Sequence, residues 1–445
     1  MKFLDIVPEN LRNKDLRNKI NISVIGVGQI GFRVCLMFAN AGYNIFAIDN
    51  DEEKIKKINS GTSPITTKDI SGTFNNKNIS ASSDIINKIR QSHVVIVCVP
   101  TPTKNKKPDL SFIEAVSDQI SRGLNEGMVI VYESTVYPGV TEKKIIPILE
   151  NSGLKAGKGL GVVYCPERVD PGNEKFKIEN IARVMAATDK RTLELTKTLY
   201  ETALNTHVFP VSSIKTAEMT KLIENTFRDI NIAFINELTT ILDETDIDII
   251  EAIKAASTKP FAFIPHYPGC GVGGDCIPVS PYWLTKFARE VKREPELVKL
   301  SRNINESMPA FVVKKLRNEL NRIGKDIKNS KILILGLTYK EEICDTRNSP
   351  AKQIIKILNN GSKEVYAYDP YISKERTKDE FNVQMKDLNN IDSIDAIVLL
   401  TAHEEFKKID FKKLKEKVQK DCIFFDTKNV FNKKNIPMRY LGLGR

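Results

Sequence analysis

Short, almost wholly apolar runs alternate with longer stretches in which apolar residues recur every three or four positions, and from Ile20 onward this alternation organises the chain. Runs of the first kind read as strands buried on both faces, and the longer stretches as amphipathic helices, the pattern of a parallel sheet covered by helices. The first unit is a strand over Asn21 to Ile25, a turn marked by Gly26, Gly28 and Gly31, a helix through Asn40, and a strand from Asn44 to Ile48 that ends at Asp49. Val94 to Val99 and Met128 to Tyr132 predict further strands. They lead into the polar turns Pro100-Thr101-Pro102-Thr103 and Glu133-Ser134-Thr135. Such turns lie at strand C-termini, the edge at which doubly wound sheets bind ligands.

After Ser330 the same order of elements returns: a strand Lys331 to Leu335, a turn at Gly336, a helix near Ala351 to Leu358, and a strand Glu364 to Tyr368 ending at Asp369. Asp395 to Leu400 and Cys422 to Phe425 supply later strands. The architecture repeats and the sequence does not. The second copy lacks the three-glycine spacing around Gly336 and is expected to hold a different ligand. Between the copies, Ser213 to Glu251 predicts one long helix, with Leu222, Ile223, Phe227, Ile230, Phe234 and Leu238 at roughly helical spacing and no Gly or Pro to interrupt. Such a helix offers a dimerisation face, although most stripes of this kind bury against helices of their own chain.

The predicted class is therefore α/β: two Rossmann-like, doubly wound parallel-sheet domains joined by a long central helix. The expected division is an N-terminal extension over 1–19, a dinucleotide-binding domain over 20–212, a central helical and dimerisation domain over 213–320, and a second Rossmann-like domain over 321–445.

Composition narrows the partners. At 445 residues and 41% hydrophobic content the chain can bury more than one core. Lys plus Arg outnumber Asp plus Glu 67 to 56, a net charge of +11, but the basic residues are interspersed with acids and form no block with interleaved aromatics, which argues against nucleic acid. The seven cysteines are dispersed and several sit inside apolar runs, as expected of thiols in a reducing compartment. Cys270 and Cys276 have no His at zinc spacing, so no metal is expected. No apolar run nears the roughly 18 residues of a membrane span. The expectation is a cytoplasmic protein with no membrane partner.

Three groups of residues carry chemistry. Gly26-x-Gly28-x-x-Gly31 follows a strand and opens a helix, with Asp49 at the end of the next strand, which is the context that makes this spacing a dinucleotide site. Asp49 can accept from both ribose hydroxyls and repels a 2'-phosphate, so NAD is expected over NADP. Gly269-Cys270-Gly271-Val272-Gly273-Gly274-Asp275-Cys276 places four glycines before a cysteine, letting backbone approach a substrate and its amides stabilise a thiolate or oxyanion. Lys221, Asn225 and Arg228 share one helix face and together could hold an anionic, hydroxyl-rich substrate; the apolar density around Ile230 to Ile235 and Leu238 predicts that this helix is largely covered.

The segment Thr216 to Leu238, with Lys221, Asn225 and Arg228 inside it, resembles the central helix of the UDP-glucose and GDP-mannose dehydrogenase family. The likeness extends to Tyr164-Cys165-Pro166-Glu167-Arg168-Val169-Asp170-Pro171-Gly172, to Gly273-Gly274-Asp275-Cys276, and to Gly336-Leu-Thr-Tyr339-Lys340 with Asp345-Thr-Arg347. That resemblance implies a catalytic set: Cys276 as nucleophile, Lys221 stabilising oxyanions, Glu167 directing water, with Asn225 and Thr135 assisting. It implies substrate contacts at Arg168, Val169, Lys221, Asn225, Arg228, Gly273, Tyr339, Lys340 and Lys428, and NAD contacts at Ile30, Asp49, Lys54, Thr101, Thr135 and Arg347. The implied reaction is four-electron oxidation of a sugar C6 alcohol to a carboxylate by way of a cysteine thiohemiacetal and thioester, for surface polysaccharide or glycan precursors. The implied partners are a UDP-sugar and a second copy of the chain.

Pro166-Glu167-Arg168-Val169 resembles the UDP-N-acetylmannosamine branch, whereas Asp170-Pro171-Gly172-Asn173 and the Thr258 to Gly269 stretch resemble the N-acetylglucosamine and N-acetylgalactosamine branch. The implied substrate is a UDP-N-acetylhexosamine. Two positions depart from the family pattern: Ser280 stands where an Asp is usual four residues past the nucleophile, and Asp275 where His or a small residue is commoner. Asp275 is expected to turn its side chain away from the sulfur, and Ser280 to leave the thiol easier to ionise. UDP-glucose oxidation, a two-electron dehydrogenase that leaves Cys276 idle, and a nucleotide-sugar-binding protein without catalysis remain as alternatives.

Overall fold

The apolar runs become strands because nearly every side chain in them is buried, odd residues on one face of a sheet and even residues on the other. Leu333, Leu335, Ile397 and Leu399 enter one hydrophobic cluster, while Ile332, Ile334, Ala396 and Val398 enter another. The computed structural model describes residues 1–65, 70, 72–74, 77–170, 173 and 175–445. It divides into two compact units, Met1–Glu224 with Tyr282–Glu294, and Asn225–Pro281 with Pro295–Arg445.

In the first unit the strands are β1 (Asn21–Ile25), β2 (Asn44–Ile48), β3 (Ile79–Ser82), β4 (Val94–Val97), β5 (Met128–Tyr132), β6 (Gly159–Tyr164), β7 (Arg183–Ala187) and β8 (Val208–Pro210). Among the described residues they form a nine-stranded sheet in the order β8-β7-β6-β5-β4-β1-β2-β3, with the short Lys155–Ala156 strand also pairing with β6. Only the β6–β7 pair on this path is antiparallel. Helix α1 (Gly31–Asn40) follows the glycine turn as expected. The apolar run of β4 stops at Val97, two residues short of the predicted end. The N-terminal segment is no loose extension: Phe3, Ile6 and Leu11 are buried in this unit's core, and the Leu4 N–H donates to the Gly127 carbonyl at 3.0 Å.

The second unit carries β9 (Lys331–Leu335), β10 (Glu364–Tyr368), β11 (Gln384–Met385), β12 (Ile394–Leu399), β13 (Val418–Asp426) and β14 (Arg439–Gly442), paired in parallel in the order β11-β10-β9-β12-β13-β14. Within each unit the six-strand core therefore reads 3-2-1-4-5-6, the doubly wound order with its switch point between β1 and β4, and again between β9 and β12.

The central helix departs from expectation. Helix α2 covers Ile214–Leu242, and a separate α3 covers Ile249–Ala256. The break falls in Asp243-Glu-Thr-Asp-Ile-Asp248, where Asp248 caps α3 by accepting from the Ile250 and Glu251 N–H groups at 2.8 and 3.3 Å. Helix α2 is largely covered, as expected, but Ile223, Phe227, Phe234 and Ile241 stand exposed along one side of it. After α4 (Ser280–Glu290) comes α5 (Glu296–Arg322), a helix the apolar pattern did not suggest, running straight through Pro309.

Candidate active site

The glycine turn after β1 has a separate reason for each glycine. Gly26 has φ +88°, and a Cβ there would lie 3.0 Å from the Cys98 carbonyl oxygen; a Cβ on Gly31 would stand 2.0 Å from the Gly26 carbonyl oxygen. Beside Gly28 there is open space. Ile30, at the N-cap of α1, offers no side-chain cap to the helix's first turn, where the Phe32 N–H donates to the Gly28 carbonyl at 3.1 Å. Asp49 ends β2 and accepts the Val27 N–H at 2.9 Å, while the Lys54 ammonium sits 3.2 Å from its Oδ2. Thr101, half-buried, follows β4 on the same edge. These residues fit a dinucleotide: an open glycine face for the pyrophosphate, and an acid at the position of the ribose.

Three anchors hold the Thr135 turn. Ser134 donates its hydroxyl to the Val99 carbonyl at 2.7 Å, the Val136 N–H donates to the Tyr164 hydroxyl at 3.3 Å, and the N–H groups of Gly139 and Thr141 donate to the buried Glu218 carboxylate at 2.6 and 2.9 Å. Glu218 lies one turn before Lys221 on α2. Lys221 is only 8% exposed, and among the described residues its ammonium has no hydrogen-bond or ion-pair partner. Glu167, just past β6, is 7% exposed; its Oε1 accepts the Val169 N–H at 2.6 Å and Arg183 Nη1 at 3.2 Å.

Arg183 is buried between Glu167 and Glu133. Glu133 accepts the Tyr200 hydroxyl at 2.7 Å; burial pushes its carboxyl up, against the pull of Arg183. Arg168 is engaged twice, donating to the Ala182 carbonyl at 2.9 Å and pairing with Glu224 at 2.7 Å. Pro171 and Gly172 of the same motif lie outside the described residues.

In the second unit the glycine loop packs on its own chain. A Cβ on Gly273 would lie 2.5 Å from Tyr339 Cβ, one on Gly274 would lie 3.0 Å from the Tyr339 ring, and one on Gly271 would lie 3.0 Å from the Asn305 carbonyl oxygen. These glycines are needed for internal contact before any ligand arrives. The Gly274 N–H donates to the Arg347 carbonyl at 2.9 Å, and the Gly269 N–H to Asn236 on α2 at 3.0 Å, so neither amide is left for an oxyanion.

Cys276 is exposed at the end of this loop. Contrary to expectation, Asp275 does not turn away from it: the thiol donates to Asp275 Oδ1 at 3.4 Å, and Asp275 Oδ2 accepts from Arg347. Ser280 is 1% exposed, and its hydroxyl accepts from Asn225 Nδ2 at 2.8 Å. The structure thus brings together Cys276, Gly273, Tyr339 and Arg347, and links Asn225 to the start of α4. Arg228 is exposed on α2 and Lys340 half-buried beside Tyr339. Lys428 follows β13, where its charge tempers the upward push of burial on the Cys270 thiol.

Three family models cover most of the chain: the NAD-binding domain of the UDP-glucose/GDP-mannose dehydrogenase family over residues 20–204, its central domain over 215–307, and its UDP-binding domain over 333–433. The chain belongs to the UDP-glucose/GDP-mannose dehydrogenase family. It is 35% identical over 432 residues to a UDP-N-acetyl-D-mannosamine dehydrogenase of Pyrococcus horikoshii, covering 96% of this chain and 99% of that protein. It is 32% identical to a UDP-N-acetyl-D-glucosamine 6-dehydrogenase of Pseudomonas aeruginosa, covering 96% and 100%. The solved structure of the Pyrococcus horikoshii enzyme superimposes with a TM-score of 0.86 at 34% identity, over 96% of this chain and 99% of that one.

For this nucleotide-sugar dehydrogenase the sequence reading missed the buried polar supports: Glu133, Arg183 and Glu218 in the first unit, Asn236, Asn305 and Asp345 in the second. A polar residue in an amphipathic helix, such as Glu218, Asn236 or Asn305, or at a strand end, such as Glu133 or Arg183, reads as solvated, and only a partner in space reveals otherwise. The NAD-binding and UDP-binding modules also explain the repeated architecture. In the second sheet Asp369 stands where Asp49 stands in the first, accepting the Leu337 and Thr338 N–H groups at 2.6 and 3.1 Å. There buried His403 also bonds it at 3.1 Å, so the acid of the second copy is engaged internally.

Proposed function

We propose that the chain oxidises the C6 alcohol of a UDP-N-acetylhexosamine to the carboxylate with NAD, using Cys276 as a covalent nucleophile. The observation that carries this reading is a dinucleotide turn and an exposed thiol on a glycine loop in one chain, a pairing that simple alcohol oxidation does not require. The relatives named for mannosamine and glucosamine nucleotides support the N-acetylhexosamine class.

Bound NAD would accept hydride from C6 in each of two oxidations. The chain's own residues do the rest. Cys276 adds to the aldehyde at C6 to give a thiohemiacetal, which becomes a thioester. Lys221, a nearly buried ammonium, stabilises negative charge on the C6 oxygen at each tetrahedral stage. Glu167 presents Oε2, since Oε1 is held by Val169 and Arg183, to direct the water that releases the acid, with Thr135 assisting. Asn225, fixed by Ser280, and Arg168, Val169, Arg228, Gly273, Tyr339, Lys340 and Lys428 contact the nucleotide sugar. Ile30, Asp49, Lys54, Thr101, Thr135 and Arg347 contact NAD.

Residues 213–320 form the dimerisation segment in this reading, between an NAD domain and a UDP-sugar domain, and the apolar row on α2 is covered by a second copy. Among the described residues no helix is long and apolar enough to cross a membrane, and the seven cysteines are thiols, as suits a cytoplasmic enzyme that depends on one of them. The test is NADH yield against a panel of UDP-sugars, with NADP run beside NAD. Two NADH per uronate without free aldehyde is expected, and a ratio of one would sink the four-electron assignment.

A further inference from the structure

We propose that Asp275 is the proton acceptor of Cys276 and that Arg347 is the residue that positions it, a carboxylate–thiol pair built into the nucleophile's own loop. This rests on the reading of Cys276 as nucleophile. The Cys276 thiol points its proton at Asp275 Oδ1, 3.4 Å away. The opposite oxygen of Asp275 is taken by Arg347 Nη1, and the rest of the guanidinium grips Asp345, with Nη2 at 2.5 Å and Nε at 3.0 Å. Two backbone links run alongside: the Gly274 N–H to the Arg347 carbonyl at 2.9 Å, and Asn348 Nδ2 to the Gly274 carbonyl at 2.8 Å. An exposed aspartate next to a cysteine would ordinarily turn to water. Here the turn 345–348 is tied to Gly274, the residue before Asp275, and to Asp275 itself, and the carboxylate is held against the sulfur.

Among the described residues, Asp275, Asp345, Arg347 and Tyr339 are titratable and charged groups of this unit near the thiol. Burial, together with the nearby acids and the thiol, pushes the Tyr339 hydroxyl up and keeps it neutral. Arg347, paired with Asp275, offsets part of that carboxylate's repulsion of a thiolate. In the resting enzyme the sulfur keeps its proton, because a carboxylate is a far weaker base than a thiolate. As Sγ bonds to the aldehyde carbon, the carbonyl pair moves onto oxygen, the sulfur loses basicity, and the S–H proton passes to Asp275 Oδ1. When water has added to the thioester and the C–S bond breaks, that electron pair returns to sulfur and Asp275 gives the proton back. No external oxidant or base enters either step.

The pair makes two measurements move in opposite senses. In cofactor-free enzyme, Asp275→Asn removes a like charge from beside the thiol and should lower the midpoint pH of Cys276 alkylation, followed by mass spectrometry of the Cys276 peptide. The same variant should turn over about 100-fold more slowly, since it has lost the acceptor. Arg347→Met should raise the alkylation midpoint, and Arg347→Lys should restore part of the shift. An unmoved or raised midpoint in Asp275→Asn, or unchanged turnover, overturns the proposal; near-native circular dichroism is required of each variant. Cys276→Ser separates this from the parent reading. If Cys276→Ser still yields two NADH per product, the nucleophile assignment itself fails. If it stops after one oxidation while the Asp275→Asn midpoint stays put, only the pair fails.

Discussion

Arg183 shows how much a single buried side chain can decide. It is 1% exposed, with Glu167 on one side and Glu133 on the other, and two of its own donors, Nε and Nη2, find no hydrogen-bond partner among the described residues. It is therefore kept for its charge. Arg183→Met would leave two carboxylates buried without a counter-ion, a change that costs about 3 to 5 kcal/mol. The folded protein already favours the protonated form of Glu133, so this group contributes stability at low pH that is lost as pH rises above the ordinary carboxylate range. Removing Arg183 strengthens that preference. Urea unfolding of Arg183→Met should accordingly show a larger deficit against the parent at pH 8 than at pH 5. An equal deficit at both would mean that Glu133 is already neutral beside the arginine. Because Arg183 holds Oε1 of Glu167, turnover should fall with stability.

At the scale of elements, α2 joins two kinds of face that sequence periodicity cannot tell apart. One carries Asp229 and Asn236, buried against α5: Arg302 donates to Asp229 at 2.6 Å, and Asn236 and Asn305 bond at 2.9 Å. The other carries the exposed row Ile223, Phe227, Phe234 and Ile241. Glutamates at 227 and 234 would place charge on that row without touching the buried polar layer. If the proposed dimer forms through this row, Phe227→Glu with Phe234→Glu should convert it into monomers in sedimentation velocity, with far-UV circular dichroism preserved; a double variant that sediments like the parent would show that the row is not a dimer face.

Strands β1, β2, β5, β9 and β10 were legible to the residue, because each is a short, mainly apolar run that stops at a turn residue or an acid. The α2–α3 break was not, since Asp248 acts through a cap rather than through Gly or Pro. Helix α5 was hidden by Pro309 and by the polar residues it buries. The thiol, the glycine turn and Glu167 were legible as motifs. What holds them was not, because Asp275, Arg183 and Glu218 take their meaning from partners 16 to 79 positions away.

For the molecule as a whole, neither unit is one continuous piece of chain: the boundary is crossed after Glu224, after Pro281 and after Glu294, the first time inside α2 and the second inside α4. The lone tryptophan, Trp283, lies in the short segment that returns to the first unit, wholly buried, its ring centroid 5.9 Å from that of Tyr137. Its emission reports on the first unit, whereas far-UV circular dichroism reports on both. With helices running unbroken through two crossings, the two signals should lose native value at the same denaturant concentration. A fluorescence transition that precedes the dichroism would show the units unfolding one at a time.

The returning segment also bears on how the protein is made. A ribosome delivers the whole of the first sheet, then residues 225–281 that belong elsewhere, and only then the stretch 282–294 that seats Trp283 over Tyr137. Until that stretch emerges, the place beside Tyr137 that Trp283 fills stays uncovered while synthesis continues. A chain stalled before Tyr282 would leave Tyr137 without its tryptophan, a target for chaperones that bind exposed apolar surface. Quality control would then judge this enzyme on a helix made well after the sheet it completes.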